Sequence, residues 1–346
     1  MKVLFTGLGS IGQRHLRNLR HIMGNSIEVI AYRVKRQVPV LDDSFQIIGE
    51  VDSIAKKYNV GEFNDLEKAL AEKPKIAFIT NPSSMHVDTA IKAAEAGCHL
   101  FIEKPLSADL IGIERLIELV EQKKLIAAVG YQLRFHPGLQ RVYTWLKERR
   151  IGRLTSATLI QGEYLPGFHP YEDYRIGYAA RRELGGGVVL NQIHEFDYAL
   201  WFFGLPQRIF AIGGKLSRLE IDVEDTASIL MEYEREGRVF PVTINLDYLQ
   251  SPPSRSCTLV GDEGKIFFDF HAKTVRLDQR SCGEHEEYKV NLPNNNYLFL
   301  EELKQFLNAV EGVGTPNVDL RLGFDSLRMA CAVRKSLESG KIVSLQ

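Results

Sequence analysis

A glycine motif directly behind a mostly apolar run constrains the fold of this chain more than any other feature. The run covers residues 2–6, the motif Gly7-Leu8-Gly9-Ser10-Ile11-Gly12 follows it, and a helical pattern covers 13–22. Glycines at this spacing permit a tight strand-to-helix turn and a close approach of the backbone to a pyrophosphate at the helix N-terminus. An ordinary glycine turn is the alternative. The motif predicts a dinucleotide site with cofactor contacts at Gly7, Gly9, Ser10, Ile11 and Gly12.

The end of the next predicted strand indicates which dinucleotide binds. An Asp or Glu at this position usually binds the ribose 2′-hydroxyl of NAD. Here the strand ends at Tyr32, followed by Arg33, with Lys35 and Arg36 close behind. Cations beside an uncharged position favour a 2′-phosphate. We therefore expect NADP in preference to NAD, with Tyr32 and Arg33 at the cofactor; a basic loop face exposed to solvent is the alternative.

Length and charge limit the class of protein. With 346 residues, 45% of them hydrophobic, the chain is long enough for two domains with their own cores. A net charge of −1 gives no general attraction for nucleic acid or an anionic membrane, so a small molecule or another copy of the chain is the expected partner. The first strand leaves no room for a signal peptide and no apolar run is long enough to span a membrane, so we expect a cytoplasmic protein.

The cysteines give no sign of a metal site. They are far apart in sequence and show no Cys-x-x-Cys or Cys/His ligand spacing. The four positions are Cys98, Cys257, Cys282 and Cys331. We expect free thiols in a reducing compartment and no bound metal.

Between residues 1 and 130, predicted strands and helices alternate along the chain. Buried apolar runs predict strands at 3–6, 27–32, 76–80, 99–102 and 125–129. Helical patterns cover 13–22, 52–58, 65–71, 84–96 and 107–123. This alternation is typical of a doubly wound parallel sheet with helices on both faces, so residues 1–130 are predicted to form the NAD(P)-binding domain.

Beyond residue 130 the pattern changes, and residues 131–346 are predicted to form a second domain for substrate binding and oligomerisation. Alternating apolar and polar residues predict strands at 155–161, 208–213, 226–234, 238–248, 256–259 and 265–270. Turn signals such as Glu236-Gly237 favour a mostly antiparallel sheet with one face packed on helices. Helical patterns at 297–310 and 320–338 end the chain. The outer face of an open sheet needs cover, so we expect a homodimer or homotetramer.

The triplet Glu103-Lys104-Pro105 follows the apolar run 98–102. The carboxyl end of that predicted strand points at the crevice where open parallel sheets bind ligands. A lysine beside a nicotinamide can hydrogen-bond an alcohol oxygen and stabilise the alkoxide that develops as hydride leaves. Lys104 is therefore predicted to be catalytic and to contact cofactor and substrate, with Glu103 at the cofactor. A surface Glu-Lys pair before a helix is the alternative.

Two further loops supply candidate contacts. Asn81 follows the predicted strand 76–80 and is expected to line the cofactor crevice, although a structural turn with a helix N-cap at Ser83 or Ser84 explains the same segment. Arg134, after the last strand of the parallel sheet, is predicted to contact substrate, and His136 is a further candidate. Packing between domains is the alternative for this second segment, with a helix covering 137–149.

Gly185-Gly186-Gly187 precedes a helical pattern over 188–200. The glycines permit a close approach of backbone to ligand, and one helix would carry Asn191, His194 and Asp197 along one stripe. His194 is predicted to transfer the proton because the ordinary histidine pKa lies near neutrality. Asn191 is an amide and cannot titrate, while Asp197 is expected to orient His194 or to bond structural partners. A satisfied core histidine is the alternative for His194.

These motifs together resemble the glucose-fructose oxidoreductase and inositol dehydrogenase family, Gfo/Idh/MocA. The resemblance extends over nearly the whole chain, through Gly7-Leu8-Gly9-Ser10-Ile11-Gly12, Ala94-Glu95-Ala96-Gly97-Cys98-His99, Glu103-Lys104-Pro105, Gly185-Gly186-Gly187 and His194-Glu195-Phe196-Asp197. It implies a Rossmann domain followed by an α/β domain with a large open, mostly antiparallel sheet that usually forms dimers or tetramers. It also implies hydride transfer to or from a carbon of a sugar, a cyclitol or a nucleotide-linked sugar.

By this resemblance, Lys104 corresponds to the lysine of the family's Glu-Lys-Pro motif and His194 to its catalytic histidine. Many relatives carry an aspartate four residues before that histidine, whereas Asn191 lies three residues before it and lacks a carboxylate that could raise the histidine pKa. The implied mechanism hydrogen-bonds a carbinol hydroxyl to Lys104 and His194 while its hydride passes to the nicotinamide and its proton to His194. Asn191 would hold a neighbouring hydroxyl.

Two other classes of function stay open on the sequence alone. The amide of Asn191 suggests a catalytically silent NADP-binding regulator or scaffold. A reductase of a non-sugar substrate, such as a tetrapyrrole or an imine, is the other class. Sugar contacts are expected on loops such as 164–178. Nearby, Arg175, Arg181 and Arg182 could bind a phosphate or an acidic sugar, with solvated charge as the alternative.

Overall fold

The computed structural model describes residues 1–34, 39–42, 46–50, 54–280, 283, 285–294 and 296–345. Lys35, Arg36 and Cys282, together with residues 51–53, lie outside this description. The chain divides into two compact units. The first comprises Met1–Gln132, His169–Glu172 and Asn296–Phe324, and the second comprises Leu133–Phe168, Asp173–Asn295 and Asp325–Gln346.

The first unit contains a six-stranded parallel sheet with flanking helices. Its elements up to residue 130 are β1 (Lys2–Phe5), α1 (Ser10–Met23), β2 (Glu28–Tyr32), β3 (Val40–Leu41), β4 (Ile47–Gly49), α2 (Ile54–Tyr58), β5 (Val60–Phe63), α3 (Leu66–Ala71), β6 (Ile76–Ile79), α4 (His86–Glu95), β7 (His99–Glu103), α5 (Ile113–Gln122) and β8 (Ala127–Gly130). The strand order is β5-β2-β1-β6-β7-β8, and the pairs are parallel. Strand order reverses between β1 and β6, the position at which doubly wound sheets bind ligands. The predicted doubly wound sheet is confirmed.

Most strands of this sheet are buried, as expected of a parallel sheet with helices on both faces. All four residues of β6 are buried, and its sequence contains no polar residue. Phe5 and Phe78 stack with 4.6 Å between their ring centroids, and α1 adds Leu16 and Leu19 to the same core. Burial of such a side chain contributes about 1.5–3 kcal/mol. The packed core therefore holds the carboxyl ends of the strands side by side.

The second unit is built on a nine-stranded sheet. The remaining elements of the chain are α6 (Pro137–Lys147), β9 (Leu154–Gly162), α7 (Val188–Asn191), α8 (His194–Phe203), β10 (Arg208–Gly214), β11 (Thr226–Arg235), β12 (Arg238–Asp247), β13 (Ser254–Gly261), β14 (Gly264–Asp269), β15 (Thr274–Gln279), β16 (His285–Lys289), α9 (Tyr297–Val310), α10 (Leu320–Ser339) and β17 (Val343–Ser344). The strand order is β16-β15-β14-β13-β9-β12-β11-β10-β17. Its pairs are antiparallel apart from the parallel β12–β9 pair. The predicted open, mostly antiparallel sheet is confirmed.

One face of the nine-stranded sheet is buried and the other is exposed. Residues alternate between the two faces along β11 and β12, as the two-residue period of a strand requires. Tyr233 and Phe240 lie on the buried face, where their rings stack at 5.6 Å. Ile212, Leu230 and Val239 are 68%, 48% and 61% exposed. The uncovered face therefore carries large apolar side chains.

Helix α9 departs from the predicted division at residue 130. Residues 296–324 fall in the first unit, although they were predicted to belong to the second domain. Leu303, Phe306 and Leu307 of α9 join the core that contains Leu16 and Leu19 of α1. The apolar stripe of α9 is thus buried against the parallel sheet, a contact between distant segments that local patterns do not reveal.

Some elements differ from their predicted positions. Strands β3, β4, β5, β15, β16 and β17 were not predicted. β5 contains a glycine and a glutamate, and β16 is mostly charged and exposed. Helix α5 begins six residues later than predicted, because Gly112 takes the left-handed φ of +77° just before it. Short 3-10 helices lie at Gly24–Ser26, Ser83–Met85, Gln132–Phe135, Leu165–Gly167, Tyr178–Ala180 and Arg182–Leu184. None of the helices in the described part of the chain is long and apolar enough to cross a membrane.

Candidate active site

The glycine loop connects β1 to α1 with no room for side chains at two of its glycines. A Cβ on Gly12 would lie 2.3 Å from the carbonyl oxygen of Gly7, and Gly7 itself has φ +141°. The Thr80 hydroxyl donates to the Gly7 carbonyl at 2.8 Å, which fixes the loop to the end of β6. A Cβ on Gly9 would meet nothing within 4 Å. The tight turn is therefore formed by Gly7 and Gly12, while Gly9 borders open space.

The start of α1 fits a bound pyrophosphate. Gly9 is the N-cap and supplies no side-chain cap, and the first turn, which includes Ser10 and Ile11, contains no acidic residue. The N–H groups of a first helical turn lack acceptors within the helix. Open space beside an N-terminus without a carboxylate is suited to a dinucleotide phosphate.

Asn81 lies at the carboxyl end of β6, next to the glycine loop. A Cβ on Gly7 would lie 3.2 Å from the backbone nitrogen of Asn81. The amide nitrogen of the Asn81 side chain donates to the Thr89 hydroxyl of α4 at 3.0 Å. The structure thus brings Asn81 and the glycine loop together, and α4 orients the amide.

Arg33 follows β2 and forms an ion pair with Glu62 of β5. The side chain of Arg33 is only 4% exposed, so the alternative of a solvated basic face does not apply to this residue. Tyr32, the last residue of β2, is partly buried. Glu62 was missed by the sequence analysis because β5 itself was missed. The carboxylate beside Arg33 offsets the positive charge on which the NADP prediction rested.

Glu103, the last residue of β7, is bonded inside the first unit. Its Oε1 is hydrogen-bonded to His15 Nε2 of α1 at 2.5 Å, and the backbone N–H of Lys104 donates to Oε2 at 3.1 Å. His15 is fully buried, with the Phe101 ring centroid 4.9 Å away. Lys104 directly follows the strand and is partly buried. Glu103 therefore ties the backbone at Lys104 to α1, the helix that follows the glycine loop.

A second buried histidine joins two loops at the same sheet edge. His86 Nε2 lies 2.7 Å from the Asn81 carbonyl oxygen, and Nδ1 lies 2.9 Å from the Pro105 carbonyl oxygen. Burial lowers the pKa of His86, because an imidazolium loses its hydration there, while the two carbonyl oxygens oppose the change. His15 and His86 both position candidate residues. No sequence signal identified either, because their partners are set by tertiary contacts.

Part of the loop expected to contact sugar lies in the first unit, beside the glycine loop. Residues His169–Glu172 belong to this unit, and Tyr171 is hydrogen-bonded to Ser10. Burial raises the pKa of Tyr171 to about 12. The Tyr171 ring also stacks on His169 at 5.3 Å. The Ser10 side chain, a predicted cofactor contact, is thus engaged by a residue from a distant segment.

In the second unit, the triple glycine approaches the protein's own atoms. A Cβ on Gly186 would lie 2.5 Å from the Tyr178 carbonyl oxygen, and one on Gly187 would lie 2.2 Å from Glu224 Oε1. The Val189 backbone N–H donates to the same Glu224 oxygen at 3.3 Å. Burial raises the pKa of Glu224. Internal packing therefore accounts for Gly186 and Gly187, where a close approach to a ligand was predicted.

The predicted helix over 188–200 is two helices. Asn191 ends α7 and His194 begins α8, with Gln192 between them at ψ 35°. The prediction of one continuous stripe through Asn191, His194 and Asp197 is therefore wrong. The Tyr178 hydroxyl donates to Asn191 Oδ1 at 3.3 Å. His194 is 6% exposed, which leaves it a largely buried side chain at a helix start.

Arg134 and Asp197 form a buried ion pair within the second unit. Arg134 Nε donates to Asp197 Oδ2 at 2.8 Å, and Nη2 donates to Oδ1 at 2.9 Å. The guanidinium carbon of Arg134 also lies 5.0 Å from the Trp201 ring centroid. Burial raises the pKa of Asp197, and Arg134 opposes that shift. The guanidinium group of Arg134 is thus hydrogen-bonded to Asp197 of α8.

Glu195 and His136 also have structural partners. Arg255 Nε donates to Glu195 Oε1 at 2.8 Å, which fastens α8 to β13. His136 caps α6, since its Nδ1 accepts from the Gly138 N–H at 3.1 Å. Burial lowers the pKa of His136 to about 4, with the nearby positive charge of Arg255 contributing. His136 is therefore a neutral helix cap at neutral pH.

The cysteines and carboxylates in the described part of the chain form no metal ligand set. Cys98, Cys257 and Cys331 are free thiols, and the first two are buried. Across residues 1–345, apart from the positions left undescribed, no group of three or more His, Cys, Asp or Glu side chains is placed to hold a metal ion.

A parallel sheet with a glycine loop and a second unit built on an open sheet define a two-domain nicotinamide-dependent oxidoreductase. Residues 1–131 match the family model described as "Oxidoreductase family, NAD-binding Rossmann fold", and residues 139–267 match the GFO/IDH/MocA C-terminal domain. The chain belongs to the Gfo/Idh/MocA oxidoreductase family. The predicted family, fold class and dehydrogenase activity are confirmed, as is a Rossmann domain that binds NAD.

Similar proteins support this assignment over the full length of the chain. The chain is 26% identical to myo-inositol 2-dehydrogenase of Thermotoga maritima, covering 100% of this chain and 99% of the relative. It is 23% identical to UDP-N-acetylglucosamine 3-dehydrogenase of Acidithiobacillus ferrooxidans, covering 98% of each. The WlbA dehydrogenase of Bordetella pertussis, solved with NADH and UDP-GlcNAcA, shares the fold with a TM-score of 0.80 at 23% identity, covering 100% of this chain and 99% of that one.

Proposed function

We propose that this chain transfers a hydride between a nicotinamide and a carbinol or keto carbon of a sugar, a cyclitol or a nucleotide-linked sugar. The observation that carries the proposal is the carboxyl edge of the parallel sheet. The glycine loop, Asn81 and Lys104 follow the neighbouring strands β1, β6 and β7 there. A lysine at the same edge as a dinucleotide loop is suited to hydrogen-bond a reacting hydroxyl. The inositol and nucleotide-sugar dehydrogenases among the relatives support the substrate class.

Lys104 and His194 are the proposed catalytic residues. The ammonium group of Lys104 holds the reacting hydroxyl and stabilises negative charge on its oxygen. His194 accepts the hydroxyl proton, and Asn191 binds a neighbouring hydroxyl. When bound, the nicotinamide supplies the hydride acceptor or donor.

The cofactor contacts proposed are those of the glycine loop and the adjoining strand ends. They are Gly7, Gly9, Ser10, Ile11, Gly12, Tyr32, Arg33, Asn81 and Lys104. For Glu103 and Arg134, predicted as cofactor and substrate contacts, the observed bonds to His15 and Asp197 favour positioning roles. Glu103 then acts through Lys104, and Arg134 acts through α8.

We propose that NADP is preferred to NAD, by a margin that Glu62 limits. Arg33 is the cation available for a 2′-phosphate, but its pair with Glu62 offsets its charge. The variant Glu62→Gln should therefore bind NADPH more tightly, and Arg33→Ala should bind it less tightly, with NADH affinity little changed in either. Equal NADPH and NADH affinities across wild type and both variants would refute the preference.

Thermal stabilisation and turnover test the proposed activity. Purified protein is melted with NADPH, NADP, NADH and NAD, then with a panel of sugars, cyclitols and nucleotide sugars, and we expect a dinucleotide shift that one substrate class increases. Turnover of that substrate should fall by about 10² to 10⁴ in Lys104→Met and in His194→Ala. The exposed residues Lys92 and His271 provide matched controls as Lys92→Met and His271→Ala.

Each outcome separates the classes of function. Dinucleotide binding without turnover on any sugar would favour a silent regulator, and turnover on a planar conjugated acceptor alone would favour a non-sugar reductase. Folded Lys104→Met or His194→Ala protein with wild-type turnover would overturn the assigned roles. Absence of any dinucleotide shift would contradict the function of the glycine loop.

We infer that the uncovered sheet face joins copies of the chain into a homodimer or homotetramer. Ile212, Leu230 and Val239 are large apolar side chains exposed on one face, which is typical of an interface. Light scattering at micromolar protein should give the mass of an oligomer, and Leu230→Arg should lower that mass. Val313→Arg, at a residue 66% exposed in the first unit, is the matched control. A monomeric wild type would refute the inference.

A cytoplasmic location is proposed from the thiols. Cys98 and Cys257 are buried and free, as expected of a protein in a reducing compartment. Fractionation of the source cells checks this, and recovery outside the reducing compartment would contradict it.

A further inference from the structure

A concave basic pocket lies in the second unit, at the end of α6 and the β11–β12 hairpin. Its volume is about 480 Å³. It is lined by five cationic side chains and one carboxylate: Lys147, Arg149, Arg153, Arg235, Arg238 and Glu236. A concave surface lined mainly by positive charge raises the local concentration of anions.

Two of these arginines are directly opposite each other in the sheet. Arg235 of β11 is the cross-strand partner of Arg238 of β12, on either side of the turn at Glu236. Because side chains alternate along a strand, Arg235 shares a face with Tyr233, and Arg238 shares a face with Phe240. Both arginines therefore lie on the face that carries the core. Like charges directly opposite each other destabilise a strand pair, so folding alone does not account for them.

The pocket also has more cationic side chains than carboxylates that pair with them. Arg149 pairs with Glu236, and Arg153 pairs with Asp262. In the part of the chain that the structure describes, no carboxylate lies within 4.0 Å of Lys147, Arg235 or Arg238.

Several other arginines of this unit are paired with carboxylates. Arg175 pairs with Asp173, Arg181 with Asp222, and Arg208 with Glu232. The end of α6 attracts cations such as Lys147 and Arg149, but it does not explain arginines on two strands.

We propose that this pocket binds a small molecule through a phosphate or diphosphate group. The guanidinium forks of Arg235 and Arg238 can each donate two parallel hydrogen bonds to phosphate oxygens. Leu146 and Leu154 give the pocket an apolar wall, and its volume falls in the range of small-molecule sites. None of the residues that line the pocket is among the proposed cofactor or catalytic residues, so it is proposed as an additional site.

Titration calorimetry on the whole protein tests the proposal. Inorganic pyrophosphate is added to protein saturated with the dinucleotide that it binds, at about 0.15 M salt, which screens weak surface attraction. We expect one binding event whose affinity falls at least tenfold in the double variant Arg235→Gln/Arg238→Gln. The control is Arg208→Gln/Arg276→Gln, which removes two exposed arginines of the same sheet and should leave binding unchanged. Adenosine diphosphate is titrated in parallel.

The outcomes distinguish the source of the phosphate and the alternatives. Tighter binding of adenosine diphosphate than of pyrophosphate supports an organic phosphate ligand, and equal affinity supports free diphosphate. Because the double variant removes a like-charge pair, it should melt no lower than wild type, so loss of binding is not loss of folding. No binding to the wild type, or equal loss in the pocket variant and the control, overturns the proposal.

Discussion

Replacing Asp197 by asparagine tests whether the buried ion pair on α8 is needed for folding and for the candidate active site. The side chains of Arg134 and Asp197 are 7% and 1% exposed, and two hydrogen bonds join them at 2.8 and 2.9 Å. Asp197→Asn keeps the shape of the side chain but leaves the guanidinium without a counter-charge. Removing one partner of a buried pair costs about 3–5 kcal/mol.

That cost predicts a large change in the melting temperature. A loss of 1 kcal/mol lowers the melting temperature of a unit of this size by about 2–4 °C, so Asp197→Asn should melt about 6–20 °C below wild type. Calorimetry with NADH bound and unbound measures the shift. Since α8 begins at His194, turnover measured below the melting transition should fall as well.

A second variant separates the unpaired charge from lost packing. Arg134→Met/Asp197→Leu replaces both charges by apolar groups of similar size and should recover much of the lost stability. Arg208→Gln removes an exposed ion pair of the same unit and should change the melting temperature little. If Asp197→Asn melts within 2 °C of wild type, or the double variant melts lower than the single, the reasoning from the unpaired charge is wrong.

Two further predictions concern a helix cap and the glycine loop. The pKa of His136 is about 4 in the folded protein and about 6.5 in the unfolded chain. The folded protein is therefore stabilised by neutral His136 above pH 6.5 and loses up to about 3 kcal/mol of that stability as the pH falls towards 4. His136→Asn keeps a capping side chain, so the free energy of unfolding measured with urea should depend less on pH between those values. An unchanged pH dependence would exclude His136 as the cause. Gly9→Ala should keep the apo melting temperature and lose the dinucleotide shift, because its Cβ meets no protein atom within 4 Å. Gly12→Ala should lower both the apo melting temperature and the dinucleotide shift, since the added Cβ would lie 2.3 Å from the Gly7 carbonyl oxygen. Equal behaviour of the two variants would contradict these separate roles.

Local periodicity predicted the elements that bury either one face or every residue. The run 76–80 became β6, and the stripe over 297–310 became α9 with the same bounds, because apolar spacing alone specifies such elements. β5 and β16 escaped prediction because both are short, β5 is interrupted by a glycine and a glutamate, and β16 is mostly charged. Each pairs with a neighbouring strand of its sheet. Apolar residues continue across the break at Gln192, with Leu190 and Ile193 both fully buried, so the apolar pattern alone did not reveal it.

The partners of the site residues could not be predicted for a related reason. His15 and Glu103 are 88 positions apart, Arg134 and Asp197 are 63 apart, and Glu195 and Arg255 are 60 apart. Helix and strand periods relate residues a few positions apart, and pairing at these separations depends on how the elements pack. The motifs therefore identified Lys104 and His194 as candidates but did not reveal what holds them.

In both units a buried carboxylate lies next in sequence to a candidate catalytic residue. Glu103 precedes Lys104 and bonds His15 of α1, while Glu195 follows His194 and bonds Arg255 of β13. Each carboxylate fixes the backbone from which the reactive side chain extends.

A displacement of about 1 Å at a catalytic group costs about 10²-fold in rate, so Glu103→Ala and Glu195→Ala should lower kcat by about that factor. Neither carboxylate is proposed to contact substrate, so KM should change little, and rescue by Glu103→Gln, which keeps an acceptor for the Lys104 N–H, should be partial. A rise in KM with unchanged kcat would instead mean that the carboxylates contribute to substrate binding and that the two catalytic side chains are held by other contacts.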